Sequence, residues 1–272
     1  MPRLLRASEP PPPIPQPSNV VWWAQFNPPW LATVKDAPVD AGRTLRLADY
    51  DDRVRTKGQV PLQPANIRNT SVYAFKQFAM SRVPLPDRVQ LLPNSDAQWF
   101  GVDAVGQRYW EVSALGPTLF PWWRADSVRV FDLSKPWQDT PSVCGAGIPM
   151  WAMVPHPTSL RAGAGGVRHA LHFVVAGGYH PECAPGYTKS DGTDPAHPLR
   201  AGESLRITAK AFDRLWAEAE TPDDRALLWA CMYFGCKVND QTSLDAGHAI
   251  RMPFGADITI GLRLTDFEVV SV

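Results

Sequence analysis

The sequence predicts an all-β protein, a sandwich or jelly-roll-like single domain that carries one or two short helices. Proline is unusually frequent, with 28 residues in a chain of 272, and prolines end helices and occupy strand ends and turns. Short runs rich in β-branched and aromatic residues recur along the chain, as is typical of strands. With 44% apolar residues, the chain is long enough to bury a substantial core.

The first residues are predicted to form a leader that is separate from this domain. Residues 1–18 contain the run PPPPIPQP, a composition that favours polyproline II or disorder in an isolated chain. Ordering such a segment requires a surface to hold it, either on the chain's own domain or on a partner. We expect the leader to anchor the chain to partner proteins. The single β-rich domain is predicted to span residues 19–272 and to begin with the apolar strand VVWWAQF at 20–26.

Short strands are predicted in the first half of the domain. The segment 44–68 is polar and lacks helical periodicity, so no regular element is expected there. SVYAFKQFAM at 71–80 opens with β-branched and aromatic residues, which favours a strand. AQWFGVDA at 97–104 and QRYWEVSAL at 107–115 flank a glycine-containing turn and predict a β-hairpin. SVRVFDL at 127–133 is the next predicted strand.

The second half contains further predicted strands and one long loop. The strands are VRHALHFVV at 167–175, SLRITAKAF at 204–212, ADITIGL at 256–262 and DFEVVSV at 266–272. The segment 177–203 is rich in glycine, proline and aspartate, and it is longer than a passive connection usually is. We therefore expect it to be a binding loop.

One helix has clear boundary signals, from Pro222 to Tyr233. Thr221 precedes it as an N-cap, and proline at the first position suits a helix start. Gly235 follows its last turn and is the residue type that most often ends a helix.

Charge, apolar length and motifs exclude several classes of function. The chain has 27 basic and 27 acidic side chains, so the sequence lacks the excess of basic residues that is typical of proteins that bind nucleic acid. No apolar stretch is long enough to span a membrane, and the N-terminus does not resemble a secretion signal. Synthesis in the cytoplasm is therefore expected. The four cysteines lack a CxxC pair and are predicted to be buried thiols.

A few polar residues within apolar segments are candidates for catalysis. His169 is a candidate acid or base in a cleft, although a buried structural histidine fits the same pattern. Glu111 and Asp240 are candidate carboxylates, with an ordinary strand position and a turn as the alternatives. Asn239 is a candidate for binding sugar hydroxyls. His169 and His172 are three apart on a predicted strand and point to opposite faces, so no metal or cofactor is predicted.

Tryptophans are candidates for contacts with sugars. The chain has 11 of them, and exposed indole rings are common in binding surfaces. Trp110, Trp122 and Trp123 lie in or near predicted strands and are the candidates we select. Burial in the core is the alternative for each of them.

Several motifs occur in an order that resembles a known family. They are VFDLS, AGIP, RHALHF, PLRAGESLRITAKAFD, FGCKVND and FEVV, in that order from residue 130. This order resembles a poorly characterised family of mostly secreted actinobacterial β-rich proteins, whose members carry VFDL, AGLP, HALRF, RLRLKAS, YGMIVADNG and FEVV. The resemblance covers about the last 145 residues and the hairpin.

The resemblance implies site residues, and its departures imply a reduced site. His169 matches the histidine of HAL, Glu111 the glutamate of LYE and Asp240 the aspartate of ADNG. The DRH of the family reads Asp-Ala-Gln at 96–98, and its WPARH segment has no counterpart. These departures favour binding over cleavage.

Three functions follow as hypotheses. The first is a minor tail protein in the virion of an actinobacterial bacteriophage, made in the host cytoplasm, which binds host-surface polysaccharide and joins other tail proteins through its leader. The second is a polysaccharide hydrolase or lyase that uses His169 with Glu111 or Asp240. The third is a purely structural assembly protein.

Overall fold

The fold is described from a computed structural model. It describes residues 3–4, 31–59, 63–65, 70–91, 97–103, 108–119, 121–135, 142–253 and 255–272. The strand predicted at 20–26, and the leader apart from residues 3–4, lie outside the described residues. The predicted leader boundary therefore stays a prediction.

Strands dominate the described part of the chain, at 36% against 24% helix, which confirms the β-rich, sandwich-like class. The strands are β1 (Arg3–Leu4), β2 (Arg53–Gln59), β3 (Gln63–Pro64), β4 (Thr70–Ala74), β5 (Ala79–Val83), β6 (Arg88–Val89), β7 (Trp99–Asp103), β8 (Arg108–Ser113), β9 (Gly116–Pro117), β10 (Trp123–Ala125), β11 (Ser127–Asp132), β12 (Leu171–Ala176), β13 (His180–Cys183), β14 (Arg200–Ala201), β15 (Ser204–Ile207), β16 (Cys236–Thr242), β17 (His248–Pro253), β18 (Leu262–Arg263) and β19 (Phe267–Val270). The α-helices are α1 (Ala41–Arg46), α2 (Pro157–Arg161), α3 (Ala209–Glu218) and α4 (Pro222–Tyr233). Short 3-10 turns occupy Leu47–Tyr50, Phe75–Gln77, Met150–Met153, Leu244–Ala246 and Leu264–Asp266.

The contacts of the chain group into two compact units. Unit 1 comprises Met1–Asn27 and Gln59–Val143, and unit 2 comprises Pro28–Gly58 and Cys144–Val272. Each unit is discontinuous in sequence, because a segment near the N-terminus joins the C-terminal half in unit 2.

Unit 1 contains two four-stranded sheets. Their strand orders are β5-β4-β10-β9 and β11-β8-β7-β3. The predicted hairpin is confirmed: β7 and β8 pair antiparallel, with Trp99 opposite Val112 and Gly101 opposite Trp110. The segment predicted as a strand at 71–80 is instead a second hairpin, in which β4 and β5 pair antiparallel across the turn Phe75–Gln77.

A shared apolar core joins the two sheets of unit 1. One buried cluster includes Val72 and Trp123 from the first sheet and Trp99, Trp110 and Val112 from the second. Because side chains alternate between the faces of a strand, each sheet places every second residue in this cluster. Unit 1 is therefore a small β-sandwich.

Unit 2 is built on a seven-stranded sheet of order β18-β2-β17-β12-β16-β15-β19. The central strand β12 pairs in parallel with β16 and antiparallel with β17. All six residues of β12, from Leu171 to Ala176, are buried, as expected for a strand covered on both faces. The helix α4 lies against β15 and α3.

The predicted helix at 222–233 is confirmed with both of its end signals. Thr221 and Asp224 form a capping box, in which each side chain accepts a hydrogen bond from the backbone of the other. At the far end, the amide of Gly235 donates to the carbonyl of Ala230 at 2.8 Å. Gly235 has φ +72°, a conformation that favours glycine.

Several predicted strands in unit 2 are wrong in extent or type. The strand predicted at 167–175 begins only at Leu171. The strand predicted at 204–212 ends at Ile207, and α3 follows because the side chain of Thr208 accepts from the amide of Ala211 as an N-cap. The segment 256–260 has no regular structure. The segment 44–68, predicted to be irregular, contains part of α1 and the strand β2.

Candidate functional site

One face of the first sheet of unit 1 points outward and carries large side chains. On β4, Val72 and Ala74 are buried, whereas Tyr73 is half-buried and Phe75, just beyond the strand, is 51% exposed. The alternation of side chains along a strand produces this division. It leaves two aromatic rings on the outer face, and they meet edge to face with ring centroids 5.0 Å apart.

The neighbouring strand β10 adds a tryptophan and an arginine to the same face. Trp123 is only 3% exposed and points into the core, so its neighbours Trp122 and Arg124 point outward. The parallel pairing of β10 with β4 sets Arg124 beside Tyr73.

These side chains line a cleft of about 610 Å³, which we call the aromatic cleft. Its lining is mostly apolar with few polar groups, as is common for ligand sites. The lining residues are Tyr73, Phe75, Pro117, Thr118, Leu119, Trp122 and Arg124.

The three tryptophans selected from the sequence have different positions. Trp122 lines the aromatic cleft, whereas Trp110 and Trp123 are 6% and 3% exposed and belong to the core cluster. Neither of these two rings has a surface to offer a ligand. Trp122 and Trp123 are consecutive, so only one of them can face outward from a strand.

Glu111 is a buried carboxylate of unit 1. It lies in β8 with no exposed surface, where one oxygen accepts from the hydroxyl of Tyr109 at 2.7 Å. The other oxygen accepts from the hydroxyl of Ser142 and from the amide of Val143, the latter at 3.1 Å. These bonds hold the segment at 142–143 against β8 and give Glu111 a structural function.

His169 belongs to unit 2 and precedes the strand in which it was predicted to lie. β12 begins at Leu171, so His169 lies two residues before the strand. Its ring is 8% exposed, and its Nδ1 lies 2.9 Å from the carbonyl oxygen of Ala170. Burial lowers the pKa of His169, and the bond to the carbonyl opposes this shift.

Asn239 is the extra residue of a β-bulge in the centre of the sheet of unit 2. Phe173 pairs with Val238 and Val174 with Asp240, so Asn239 has no partner in the register. Its fully buried amide exchanges two hydrogen bonds with the backbone of Ile148 and lies 3.1 Å from Nδ1 of His172. The amide of Asn239 is thus used within the fold and does not face a ligand.

A buried polar row crosses the sheet beside this bulge. Lys237 pairs with Ser204 on one side and His172 on the other. The ammonium of Lys237 donates to the hydroxyl of Ser204, and burial lowers its pKa to about 8, although the charge of Glu203 opposes this. Burial also lowers the pKa of His172 well below its usual value, as does the charge of Arg251.

Asp240 lies at the end of the bulge and is partly exposed. One of its oxygens accepts from the amide of Gln241 at 3.0 Å. Burial raises the pKa of the nearby Tyr179, and its hydrogen bond to Asp191 and the charges of Asp191 and Asp240 raise it further. Asp191 belongs to the loop that was predicted to bind a ligand. Asp240 is thus placed near this loop, in unit 2, whereas Glu111 is in unit 1.

Of the seven residues that line the aromatic cleft, only Trp122 was predicted from the sequence. Tyr73, Phe75 and Arg124 are among the six that were not. A signal for them existed, because Tyr73 and Phe75 are two residues apart, as are Trp122 and Arg124, and this spacing places side chains on one face of an extended chain. The pairing of these two segments is set by the fold and could not be read from the sequence.

Two further findings apply to the residues that the structure describes. No group of three or more histidine, cysteine, aspartate or glutamate residues is placed to hold a metal ion in that part of the chain. Among the described helices, none is long and apolar enough to cross a membrane.

Comparisons of the chain with protein-family models, with curated proteins and with solved structures give no match. The geometry of the described residues is therefore the basis for the functional proposal.

Proposed function

We propose that the protein binds polysaccharide, and that the aromatic cleft of unit 1 is its binding site. The observation that carries the proposal is the outer face of the first sheet, where Tyr73, Phe75 and Trp122 line one cleft beside Arg124. A globular protein usually buries such rings. Three of them lining one cleft on the outer face of a sheet indicate a binding surface.

The chemistry of this surface fits sugars. The C–H groups of a pyranose ring form an apolar face that stacks on an aromatic ring, while the hydroxyls at its edge need polar partners. The cleft supplies both, because rings form its walls and Thr118 and Arg124 contribute polar atoms. An open cleft also suits one segment of a long polymer.

The positions of the candidate catalytic residues favour binding without cleavage. Glu111 accepts hydrogen bonds from Tyr109, Ser142 and Val143 inside unit 1. His169 is almost fully buried. A general acid or base must reach the substrate directly or through one water, which neither position favours.

The proposed setting is the tail of an actinobacterial bacteriophage, where the polysaccharide would belong to the host envelope. The choice of actinobacteria rests on the family resemblance of the sequence, and the virion setting is a hypothesis to be tested. Immunogold labelling of purified virions with an antibody against the chain tests it, and label confined to the tail is the expected result.

The first prediction concerns Trp122. Trp122→Ala removes the largest ring of the cleft and should weaken binding to actinobacterial cell-wall polysaccharide by about tenfold or more, since stacked aromatic side chains dominate such contacts. Co-sedimentation of the purified chain with the insoluble polymer measures the affinity, and an assay for new reducing ends in the same tubes reports cleavage.

Trp216→Ala is the matched control for this experiment. Trp216 is also half-buried, but it lies on α3 in unit 2, where it stacks on Phe212 with ring centroids 5.1 Å apart. The control should bind like the unaltered chain. Equal binding by both variants would exclude the cleft as the site, and the absence of any binding would favour the assembly function.

A further inference from the structure

We infer that the aromatic cleft is selective for acidic polysaccharides, an inference that rests on the proposed function. Among the described residues, its lining includes one cation, Arg124, and no carboxylate. Arg124 is exposed, and within the described residues it forms no ion pair. The guanidinium is therefore available for an anionic group on a ligand that is stacked on the rings.

The position of Arg124 is fixed by the sheet. On one side it is paired with Tyr73 of β4 and on the other with Gly116 of β9. A Cβ atom at position 116 would lie 3.7 Å from Nε of Arg124, so the side chain extends across the glycine. A guanidinium held beside an aromatic ring can bind an acidic sugar whose ring stacks on that aromatic face.

The adjacent strand extends the positive charge of this face. Met80 of β5 pairs with Tyr73, and Arg82 pairs with Ser71, whose hydroxyl accepts from the guanidinium of Arg82 at 2.8 Å. Ser71 and Tyr73 are two residues apart and share a face of β4. Arg82 therefore lies on the same outer face as Arg124.

The nearest acidic side chain in sequence does not cancel this charge. Asp126 follows β10, and its carboxylate is paired with the ammonium of Lys76 at 3.0 Å. Among the described side chains named here, the Lys76–Asp126 pair balances itself, and Arg82 and Arg124 contribute positive charge to the outer face. A polymer with one anionic group every few sugars would gain charge-assisted hydrogen bonds here that a neutral polymer lacks.

Carboxylate and phosphate groups could both supply the negative charge. A guanidinium binds either of them through two parallel hydrogen bonds. The two sources are uronic acids and sugar or polyol phosphates, and binding assays with one polymer of each type distinguish them.

The test compares polygalacturonate, poly(glycerol phosphate) and neutral dextran as ligands. Affinities are measured for the full chain and for Arg124→Gln by biolayer interferometry. We expect the full chain to prefer at least one acidic polymer to dextran by tenfold or more. Arg124→Gln should lose about tenfold in affinity for that polymer and change little with dextran.

Two variants serve as controls. Arg225→Gln removes the same charge from an exposed position on α4 in unit 2 and should leave all affinities unchanged. Arg124→Lys keeps the charge but loses the forked geometry, so it should fall between the full chain and Arg124→Gln.

The outcomes separate this inference from the proposed function. Equal affinity for dextran and both acidic polymers, with Trp122→Ala still weakening them all, would overturn the selectivity and leave the binding function intact. Loss of acidic binding in Arg225→Gln to the same extent would assign the effect to overall charge and also overturn it. If no polymer binds at all, the proposed function fails together with the inference.

Discussion

At the scale of single residues, Asp224 joins two segments of unit 2 through several hydrogen bonds to its carboxylate. Its buried carboxylate accepts from the amides of Thr221, Thr259 and Ile260 at 3.2, 2.8 and 3.3 Å, and from the hydroxyl of Thr259 at 2.6 Å. Burial raises the pKa of Asp224, but these bonds outweigh it, so the pKa is lowered. The side chain links the start of α4 to the segment at 259–260.

We predict that Asp224→Asn lowers the free energy of unfolding by about 2–4 kcal/mol. The amide retains one acceptor oxygen and turns an NH₂ group toward backbone donors. A carboxylate whose pKa is lowered on folding stabilises the fold at pH values above its unfolded-state pKa. The difference in unfolding free energy between the unaltered chain and Asp224→Asn should therefore shrink as the pH falls from that value through the folded-state pKa. Urea unfolding at pH 7 and at pH 3 measures both effects.

The exposed Asp213 of α3 provides the control, since Asp213→Asn makes the same chemical change on a solvated surface. Its cost should stay within about 0.5 kcal/mol. If Asp224→Asn lost no more stability than Asp213→Asn, the hydrogen bonds of Asp224 would contribute little to the free energy of unfolding.

The position of single side chains shows where sequence reasoning stops. The sequence identified Trp122 as a binding candidate together with Trp110 and Trp123. Alternation along a strand excludes Trp122 and Trp123 from sharing a face, but the face that meets the core depends on the partner sheet. Pairing of β10 with β4 is non-local, so the sequence could not decide it.

At the scale of elements, Gly235 determines how α4 passes into the central sheet. It ends the helix with φ +72°, and a Cβ atom at this position would lie 2.4 Å from the carbonyl oxygen of Leu205 on β15. Its own carbonyl accepts from the amide of Leu171 at 2.9 Å, where β12 begins. Helix end and strand start are therefore joined at one backbone position.

Gly235→Ala should lower the free energy of unfolding by more than about 2 kcal/mol. The cost combines the left-handed conformation with the close approach to Leu205. Gly186→Ala measures the cost of the left-handed conformation alone, because Gly186 has φ +85° and a Cβ atom at this position would have no atom within 4 Å. This second variant should cost about 1 kcal/mol. Equal costs in urea unfolding would show that β15 moves to make room.

The elements that were predicted correctly carry local signals. The helix α4 has a capping box, a proline at its start and a glycine at its end, all within a few residues. The hairpin of β7 and β8 has a glycine-containing sequence between two apolar runs. The segments predicted wrongly carry conflicting signals. The run 204–212 has strand composition but contains a helix N-cap at Thr208, and 256–260 has strand composition but pairs with no strand among the described residues.

At the scale of the whole molecule, composition predicted the β-rich class, but the division of the chain into units could not be predicted. Unit 2 combines residues 28–58 with residues 144–272, and β2 pairs with β18 across this separation. Local patterns do not report pairings between segments so far apart, because they record only the faces of each strand. The aromatic cleft escaped prediction for the same reason.

The distribution of histidine also differs between the units. All six histidines of the chain lie within residues 144–272, in unit 2. Burial lowers the pKa of His156, His169, His172 and His248 below the usual value of 6.5, and it lowers that of His197 to about 4. Folding thus favours the neutral ring at these five positions.

These shifts predict that acid destabilises unit 2 selectively. As the pH falls below 6.5, histidines of the unfolded chain take up protons that the folded unit does not, so the free energy of unfolding of unit 2 decreases. Each depressed histidine contributes a slope of up to about 1.4 kcal/mol per pH unit until the pH reaches its folded-state pKa. Unit 1 contains no histidine and has no such slope between pH 6.5 and 4.5.

Amide hydrogen exchange followed by mass spectrometry measures this difference in the intact chain. After correction for the intrinsic pH dependence of exchange, peptides from β12 and β16 should lose protection steeply between pH 6.5 and 4.5. Peptides from β7 and β8 should keep theirs. A parallel loss in both sets would show that the two units unfold as one. Constant protection in β12 and β16 would show that water reaches the buried histidines of unit 2, so that they accept protons without unfolding.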